Sequence, residues 1–228
     1  MRVAIHQPNF LPWTGYFNKI KSVDTFVFFD DVQFERGKTY TSRTKILVNG
    51  MESWLTIPVQ HKSDLVLIKD MCVDTTFPWK NKHLKTLELN YKKSSFFQDV
   101  FAIIEKVYNQ DSPFLIDYNI PLITMISDYM GLKTAFLFSS QLSDPSMTGL
   151  EKIIYLLQTT SASTYLSGNG SGSKRYINEN EFQKTGISVE WQTYQQVHYP
   201  QLNTTEFIPN LSIIDMLFNC GKDAAVHL

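Results

Sequence analysis

Residues 3–29 read VAIHQPNFLPWTGYFNKIKSVDTFVFF, and this stretch decides the fold. Its first apolar run ends before Pro8 and predicts a strand, after which residues 13–21 favour a short helix. Residues 25–29 are apolar almost throughout, as is typical of a strand that is buried on both faces. A strand, a helix and an apolar strand within about thirty residues indicate a parallel β-α-β unit.

The rest of the chain extends this unit into an α/β fold. The pair Asn49-Gly50 lies between two extended runs and predicts a β-hairpin, and residues 65–73 predict a further strand. Strands and helices alternate again from residue 133 onward. We therefore expect a central, mostly parallel sheet with a hairpin insertion.

Helical periodicity in the middle of the chain predicts a helical lobe at about residues 76–132, within a single domain that spans residues 1–228. Two stripes of apolar residues recur there at helical spacing. A third helix is expected to begin only at Pro121, because proline inside a helix removes a hydrogen bond. A later helix is expected over residues 144–158.

Composition excludes several classes of protein. The chain of 228 residues has 43% hydrophobic and 19% charged residues, close to the globular average, which argues against a disordered chain. Its 21 Lys and Arg residues balance 22 Asp and Glu residues, so no DNA partner is implied. The two cysteines form no CxxC motif. We expect neither a signal peptide nor a membrane span, and therefore a cytoplasmic protein.

The loop after the first strand carries the first candidate ligand-binding residues. Because open α/β sheets bind ligands at the carboxyl ends of their strands, we expect His6 and Gln7 to point into such a crevice. Trp13 and Tyr16 follow, and their rings could stack on a base or a sugar. The alternative is a turn shaped by its prolines, with the rings in the core and His6 as a hydrogen-bonded interior residue.

Acidic and basic residues follow the second predicted strand. Asp30 and Asp31 are candidate general bases, and two adjacent carboxylates can also bind Mg²⁺ or sugar hydroxyls. Successive strand side chains point to opposite faces, so we expect one of the two to face the site. The alternatives are a solvated turn and a charged hairpin edge. The further candidates for ligand contact, of which the basic ones suit phosphate, are Gln33, Lys38, Arg43 and Lys45.

A glycine-rich loop, SGNGSGS at residues 167–173, follows a later strand. Glycines let backbone N–H groups approach an anion, and the basic side chain that follows adds charge. The spacing matches neither the dinucleotide-binding fingerprint nor the P-loop, so a flexible loop is the alternative. The candidate phosphate-binding residues here are Ser167, Gly168, Asn169, Gly170 and Lys174.

Near the end of the sequence, Tyr199 and Gln201 precede a largely apolar helix that carries Ser212 and Asp215 one turn apart. A buried acid needs a partner, because burying an isolated charge is costly. These four residues are candidates for ligand contact, and support of the packing is the alternative.

Sequence blocks spread over nearly the whole chain read VAIHQPNFLPWTGYFNKI, DTFVFFDDVQF, RTKILVNG, TYLSGNGSGSKRYI, YPQ and FIPNLSIIDMLFN. Together they resemble the WbqC-like family. Members of that family are components of gene clusters for O-antigen and other bacterial surface polysaccharides, so the resemblance implies a context in lipopolysaccharide biosynthesis. The family-type polar residues carried over by position are His6, Gln7, Asp30, Asp31, Gln33, Arg43, Ser167, Gly168, Tyr199, Gln201, Ser212 and Asp215.

The first strand, proline-rich loop and helix also resemble the opening of nucleotidyltransferase-like α/β proteins. Those proteins use an H-x-G-H element to stabilise phosphate at the start of a helix. Residues 13–16 stand at that position as Trp-Thr-Gly-Tyr, so both histidines are missing. The resemblance therefore implies the fold and not the usual nucleotidyl transfer.

The resemblance implies a context more than a reaction. Together with the aromatic-rich loop after the first strand and the two segments suited to anions, this context favours an enzyme that modifies a nucleotide-activated sugar by acyl or aminoacyl transfer to an amino sugar. In this hypothesis Asp30 or Asp31, with His6, is the general base, and the glycine-rich loop holds phosphate together with Arg43 and Lys45. A non-catalytic scaffold protein of a polysaccharide assembly complex and an ATP-dependent ligase are the alternatives. The expected partner is a nucleotide-linked sugar or another phosphate-bearing small molecule. A homo-oligomer or a biosynthetic-complex partner is left open, as is a requirement for Mg²⁺.

Overall fold

The computed structural model describes residues 1–35, 37, 39–60, 65–170, 173–174 and 177–228, apart from the side chain of Glu179. The chain divides into two compact units. Unit 1 consists of Met1–Gln7, Asn18–Val32 and Lys133–Gln195, and unit 2 consists of Pro8–Phe17, Gln33–Leu132 and Gln196–Leu228. The single domain with a helical lobe stays a prediction, although the helices of that lobe all belong to unit 2.

The described elements have the following bounds. The strands are β1 Arg2–His6, β2 Thr25–Phe28, β3 Arg43–Val48, β4 Met51–Thr56, β5 Ala135–Phe138, β6 Thr164–Ser167 and β7 Ser188–Trp191. The α-helices are α1 Thr14–Lys21, α2 Trp79–Tyr91, α3 Phe97–Tyr108, α4 Ile116–Tyr129, α5 Ser139–Leu142, α6 Gly149–Thr159, α7 Glu179–Thr185 and α8 Ile213–Cys220. Two 3-10 helices span Ile68–Asp70 and Gly221–His227. None of the described helices combines the length and apolar character that crossing a membrane requires.

Unit 1 is built on a five-stranded sheet with the strand order β5-β2-β1-β6-β7. β1 lies in the middle and pairs in parallel with β2, from Val3 opposite Thr25 to His6 opposite Phe28. β6 pairs with β1 on the other side, again in parallel. The chain builds the sheet outward from β1 in one direction and then returns to its other side, so the topological switch point lies between β1 and β6. The predicted α/β fold with a parallel sheet is confirmed.

Alternate side chains of the strands pack on the two faces of this sheet. Helices α6 and α7 cover one face, where the following side chains form a single core: Val3, Ile5, Val27, Tyr165, Ile153, Leu156, Leu157 and Phe182. On the opposite face, the Phe28 ring stacks on Phe136 with 5.3 Å between the ring centroids. Full burial of each such side chain contributes about 1.5–3 kcal/mol of stability. Because side chains and helices pack against both faces of the sheet, β1 and β2 are buried on both sides.

The predicted hairpin is confirmed in unit 2 as β3 and β4. The strands pair antiparallel from Arg43 opposite Thr56 to Val48 opposite Met51. Asn49 and Gly50 connect them with positive φ angles of 52° and 75°. A two-residue turn of this kind matches the twist of the flanking strands, which explains why the Asn-Gly pair predicted it.

The helix that was expected to begin at Pro121 begins at Ile116, so this prediction was wrong. Proline lacks the N–H group that would bond to the carbonyl four residues earlier, which is that of Asp117. The Nε2 amide of Gln110 donates to the Asp117 carbonyl instead. A side chain from outside α4 thus satisfies the carbonyl that the proline cannot bond, and the helix continues through Pro121.

Two other predicted elements differ from the structure. Residues 65–73 do not form a continuous strand, because the 3-10 helix at Ile68–Asp70 interrupts them and buries Ile68. The helix expected over residues 144–158 begins only at Gly149. Asp144 accepts a hydrogen bond from the Ser146 amide at 2.8 Å, and such a local turn competes with the start of a helix.

Replacing Gly50 by alanine is expected to destabilise the protein more than the same change at Gly131. Both glycines have a positive φ, 75° and 72°, which costs other residues about 1–2 kcal/mol. A Cβ at position 50 would also lie 2.2 Å from the Asn203 carbonyl oxygen, whereas at position 131 it would meet no described atom within 4 Å. We expect urea denaturation to show a loss of about 1 kcal/mol for Gly131→Ala and about 2–4 kcal/mol for Gly50→Ala. Equal losses would contradict the steric conflict.

Candidate functional site

The carboxyl ends of the parallel strands form one edge of unit 1. His6, Ser139, Ser167 and Gln192 lie at or directly after the ends of β1, β5, β6 and β7. Open α/β sheets bind ligands at this edge, in the crevice at the switch point. The candidate site therefore lies between the ends of β1 and β6.

Lys19 of α1 is a charged side chain close to the end of β6. Its side chain is 3% exposed, and burial lowers its pKa to about 8. Its Nζ lies 3.1 Å from the point where a Cβ on Gly168 would stand, and the Ser173 Oγ lies 3.2 Å from the same point. The ion pairs found among the described residues do not include Lys19. A buried cation close to Gly168, without an ion-pair partner among the described residues, is an arrangement that an anionic ligand would complete.

His6 ends β1, and its Nδ1 lies 3.1 Å from the Gln7 carbonyl oxygen. Because a carbonyl can only accept, Nδ1 carries the proton and Nε2 is the acceptor nitrogen. Burial, with a smaller contribution from the Lys19 ammonium, lowers the pKa of His6 to about 3. The imidazole is therefore neutral at neutral pH. An anion beside Lys19 would offset that positive charge and raise the pKa of His6.

Asp30 and Asp31, the predicted general bases, lie directly after β2 in a buried network. The Asp30 carboxylate accepts hydrogen bonds from the Ser139 hydroxyl at 2.9 Å, the Ser140 amide at 3.0 Å and the Ser140 hydroxyl at 2.6 Å. Asp31 contacts the same Ser139 hydroxyl and pairs with Lys152 Nζ at 2.6 Å. Both carboxylates thus connect the end of β2 to α5 and α6. Their catalytic role stays a prediction.

The two adjacent carboxylates do not fit a Mg²⁺ site. Mg²⁺ requires near-octahedral oxygen ligands, whereas the Lys152 ammonium already neutralises Asp31 at 2.6 Å. Within the described ranges, no group of three or more His, Cys, Asp or Glu side chains could hold a metal ion.

The first part of the glycine-rich loop is buried beside Lys19. Ser167 is 1% exposed, and its hydroxyl lies 3.4 Å from the Gly168 carbonyl oxygen. The exposed candidates of this segment are Asn169, Gly170 and Lys174. Proximity to the buried ammonium therefore distinguishes Gly168 from the later candidates.

Asp215 lies in the first turn of α8 in unit 2 and is fully buried. Its carboxylate accepts hydrogen bonds from the Tyr91 hydroxyl at 2.8 Å, the Tyr199 hydroxyl at 2.8 Å and Gln201 Nε2 at 3.0 Å. The Tyr91 hydroxyl in turn accepts from the Leu47 amide at 2.9 Å. Burial raises the pKa of Asp215, against the opposite effect of the three hydrogen bonds. This acid therefore has its partners inside the protein.

Ser212, Trp13 and Tyr16 also have structural contacts in unit 2. Ser212 caps α8, and its hydroxyl donates to the Leu11 carbonyl at 2.7 Å. Tyr16 is 2% exposed, and its hydroxyl is hydrogen bonded to the Asn9 backbone. Trp13 is 38% exposed and forms a backbone bridge to Ser212. Of the two rings expected to stack on a ligand, Trp13 has exposed surface and Tyr16 is in the interior.

The basic candidates of the hairpin pack against neighbours in unit 2. The Arg43 guanidinium carbon lies 3.8 Å from the centroid of the Trp54 ring, and Lys45 pairs with Glu52 at 2.9 Å. Phosphate binding by Arg43 and Lys45 stays a prediction. Gln33 is exposed, and Lys38 lies outside the described residues.

The two units divide the predicted site residues. Unit 1 contains His6, Gln7, Asp30, Asp31, Ser167, Gly168, Asn169, Gly170 and Lys174. Unit 2 contains Trp13, Tyr16, Gln33, Arg43, Lys45, Tyr199, Gln201, Ser212 and Asp215. That Asp30, Asp215 and the glycine-rich loop share one pocket stays a prediction.

Sequence reasoning missed Lys19 and Lys152, which are both buried. Their spacing from apolar residues could have identified both as buried. Lys152 precedes Leu156 by four positions and Lys19 follows Tyr16 by three, which places each pair on the same side of a helix. Each lysine therefore lies on the apolar stripe of its helix. A lysine in such a position needs either an acidic partner or an anionic ligand.

The chain matches the WbqC-like protein family over residues 7–227. It is 32% identical over 232 residues to an uncharacterized protein, Rv1507c, of Mycobacterium tuberculosis. The alignment covers 100% of this chain and 97% of that protein. No solved structure matches the chain. The family match includes every candidate residue above except His6.

Replacing Lys152 by methionine is expected to destabilise the protein by about 3–5 kcal/mol, because the buried Asp31 carboxylate loses its cation. The double variant Asp31→Leu, Lys152→Met removes both charges and is expected to lose less. Guanidinium denaturation of the two variants measures the difference. A double variant less stable than Lys152→Met would contradict pairing with Asp31 as the main role of Lys152.

Asp215 is expected to make folding stability fall as the pH rises above about 4. Burial raises its pKa in the folded state, so between the ordinary value of about 3.9 and the folded value the folded protein binds more protons than the unfolded chain. Stability therefore decreases through that window, whereas Asp215→Asn lacks this titration. Free energies of unfolding from pH 4 to 7 should show the natural protein losing stability relative to the variant. A difference that does not change with pH would count against the raised pKa.

Proposed function

Because the chain belongs to the WbqC-like family, we propose that it is an enzyme that modifies a nucleotide-activated amino sugar in the biosynthesis of bacterial surface polysaccharides. In this proposal the phosphate groups of the nucleotide bind at the switch point of the sheet in unit 1. The reaction is the transfer of an acyl or aminoacyl group to the amine of the sugar.

The observation that carries the proposal is the buried Lys19 ammonium beside Gly168. Burying the Lys19 ammonium without a carboxylate among its described neighbours costs free energy. A bound phosphate would offset this cost because it supplies the opposite charge. Hydrogen bonds between ionised groups are about twice as strong as neutral ones. The switch point between β1 and β6 is also the position at which doubly wound sheets hold nucleotides.

Acyl transfer to an amine also needs a group that accepts a proton. The sugar amine attacks the carbonyl carbon of an acyl thioester, a C–N bond forms, the C–S bond breaks, and the thiolate leaves with the electron pair. In this proposal the proton lost by the amine passes to Nε2 of His6, since Nδ1 already carries the ring proton beside the Gln7 carbonyl. Phosphate beside Lys19 supports this role because it raises the pKa of His6.

A non-catalytic binding protein of a polysaccharide assembly complex is the second candidate. The acids predicted to be catalytic, Asp30 and Asp31, both have partners inside the protein. Such a protein would bind the same ligand at the same edge without turnover. This candidate differs from the enzyme in activity and not in binding.

Replacing Lys19 by glutamine is expected to weaken the binding of a nucleotide sugar about 10–100-fold, because a hydrogen bond to a charged group contributes about 1.5–3 kcal/mol. Calorimetry would compare UDP-N-acetylglucosamine, dTDP-glucose, GDP-mannose and CMP-N-acetylneuraminate with ATP. Lys21→Gln is the matched control, since Lys21 is exposed on the same helix. Affinity is also expected to fall from pH 7 to pH 9, where about a tenth of a lysine with a pKa of about 8 stays charged.

The outcomes separate the candidates. The phosphate site is supported if Lys19→Gln weakens the binding of a nucleotide sugar and Lys21→Gln leaves that binding unchanged. Release of thiol from an acyl-CoA in the presence of the same nucleotide linked to a sugar with a free amine, such as UDP-glucosamine in the UDP case, would then support the transferase, and binding of that amino sugar without turnover would favour the binding protein. Binding of ATP alone would favour an ATP-dependent ligase. If the folded protein bound none of these nucleotides, the proposal would be overturned.

A further inference from the structure

A polar groove of about 390 Å³ lies in unit 1, on the face of the sheet opposite α6 and α7. The residues that line it come from β1, α1, β6 and the end of β7: Arg2, Asn18, Ser22, Leu166, Glu190, Trp191, Gln192 and Thr193. Ligand sites span about 300–1,000 Å³, so the groove has room for a small polar group.

Pairs of polar side chains bond to one another within the groove. Arg2 Nη2 donates to Glu190 Oε2 at 2.6 Å, and Arg2 Nη1 donates to the Ser22 carbonyl at 3.0 Å. Gln192 Nε2 donates to Asn18 Oδ1 at 2.7 Å. The Arg2 Nε–H is buried and has no hydrogen-bond partner among the described residues. The groove thus offers a guanidinium, a carboxylate and two amides.

The groove adjoins the phosphate-binding edge proposed above. Asn18 is followed directly by Lys19 in α1, and Leu166 is followed by Ser167 at the end of β6. The backbone N–H of Gln192 donates to the Ser167 carbonyl at 2.8 Å. A ligand with its phosphate beside Lys19 can therefore extend a neighbouring group into the groove.

We propose that this groove binds the hydroxylated ring of the sugar, an inference that rests on the proposed function. Sugar hydroxyls both donate and accept hydrogen bonds, and the side chains of Arg2, Asn18, Glu190 and Gln192 provide both kinds of group. Trp191 adds an aromatic surface for the C–H face of the ring. A nucleobase stacks on aromatic or apolar side chains, whereas this lining is mainly polar.

The Arg2–Glu190 pair can change partners at small cost when a sugar binds. The two side chains are 40% and 50% exposed, and ion pairs at this exposure contribute little to stability. Glu190 can therefore accept hydrogen bonds from sugar hydroxyls in place of the one from Arg2. For the same reason, substitutions at Glu190 are expected to leave the fold intact.

The test compares nucleotide sugars with the free nucleotides: UDP-N-acetylglucosamine with UDP, dTDP-glucose with dTDP, GDP-mannose with GDP, and CMP-N-acetylneuraminate with CMP. For the pair that binds, the sugar conjugate is expected to bind about tenfold more tightly than the nucleotide. Glu190→Gln and Gln192→Ala are expected to reduce this difference to about twofold without changing the affinity for the nucleotide. Glu181→Gln is the matched control, because it removes a different exposed ion pair of unit 1, that with Lys184 at 2.7 Å.

The inference is overturned if the nucleotide and its sugar conjugate bind with equal affinity. It is also overturned if the groove variants keep the full difference in affinity between the two compounds. Neither result would contradict the phosphate site. Binding of neither compound would instead overturn the proposed function. If a groove variant fails to fold, saturation-transfer NMR on the unmodified protein replaces it. The sugar-ring protons are then expected to receive saturation comparable to that of the ribose protons, and their receiving none would refute the sugar subsite.

Discussion

Parallel pairing of β1 with β2 on one side and β6 on the other is the constraint on which unit 1 depends. Because every strand of this sheet runs in the same direction, the carboxyl ends meet at one edge. The chain leaves β1 towards β2 and later returns to the opposite side of β1, so the topological switch point lies between the ends of β1 and β6. The proposed function rests on the family match and on the polar groups at that switch point.

Buried charges are stabilised in different ways in this protein. Asp31 and Lys152 form a buried ion pair, and Asp215 accepts hydrogen bonds from two tyrosines and a glutamine. Each of these carboxylates is satisfied without a ligand, as a structural group must be. Lys19 differs because the described part of the chain supplies no carboxylate to it. That difference is the physical reason for proposing Lys19 as the group that binds a ligand.

Sequence reasoning failed where a nearby side chain formed a specific hydrogen bond to the backbone. Gln110 satisfies the carbonyl that Pro121 cannot bond, so α4 begins earlier than the proline predicts. The Asp144 side chain forms a turn with Ser146, so α6 begins later than the apolar pattern predicts. In both cases a specific hydrogen bond outweighed an average preference of the residue type.

The sequence by itself determined the strands of the five-stranded sheet, the hairpin and the alternation that gives an α/β fold, because apolar periodicity and turn conformation depend on neighbouring residues. It also determined that polar side chains follow β1, β2 and β6. Only the tertiary structure decided which polar groups meet. Asp30 meets Ser139 across 109 positions, and Lys19 meets Gly168 only because α1 and the end of β6 lie at the same edge of one sheet. Such contacts depend on strand order and helix placement, which local sequence patterns do not encode.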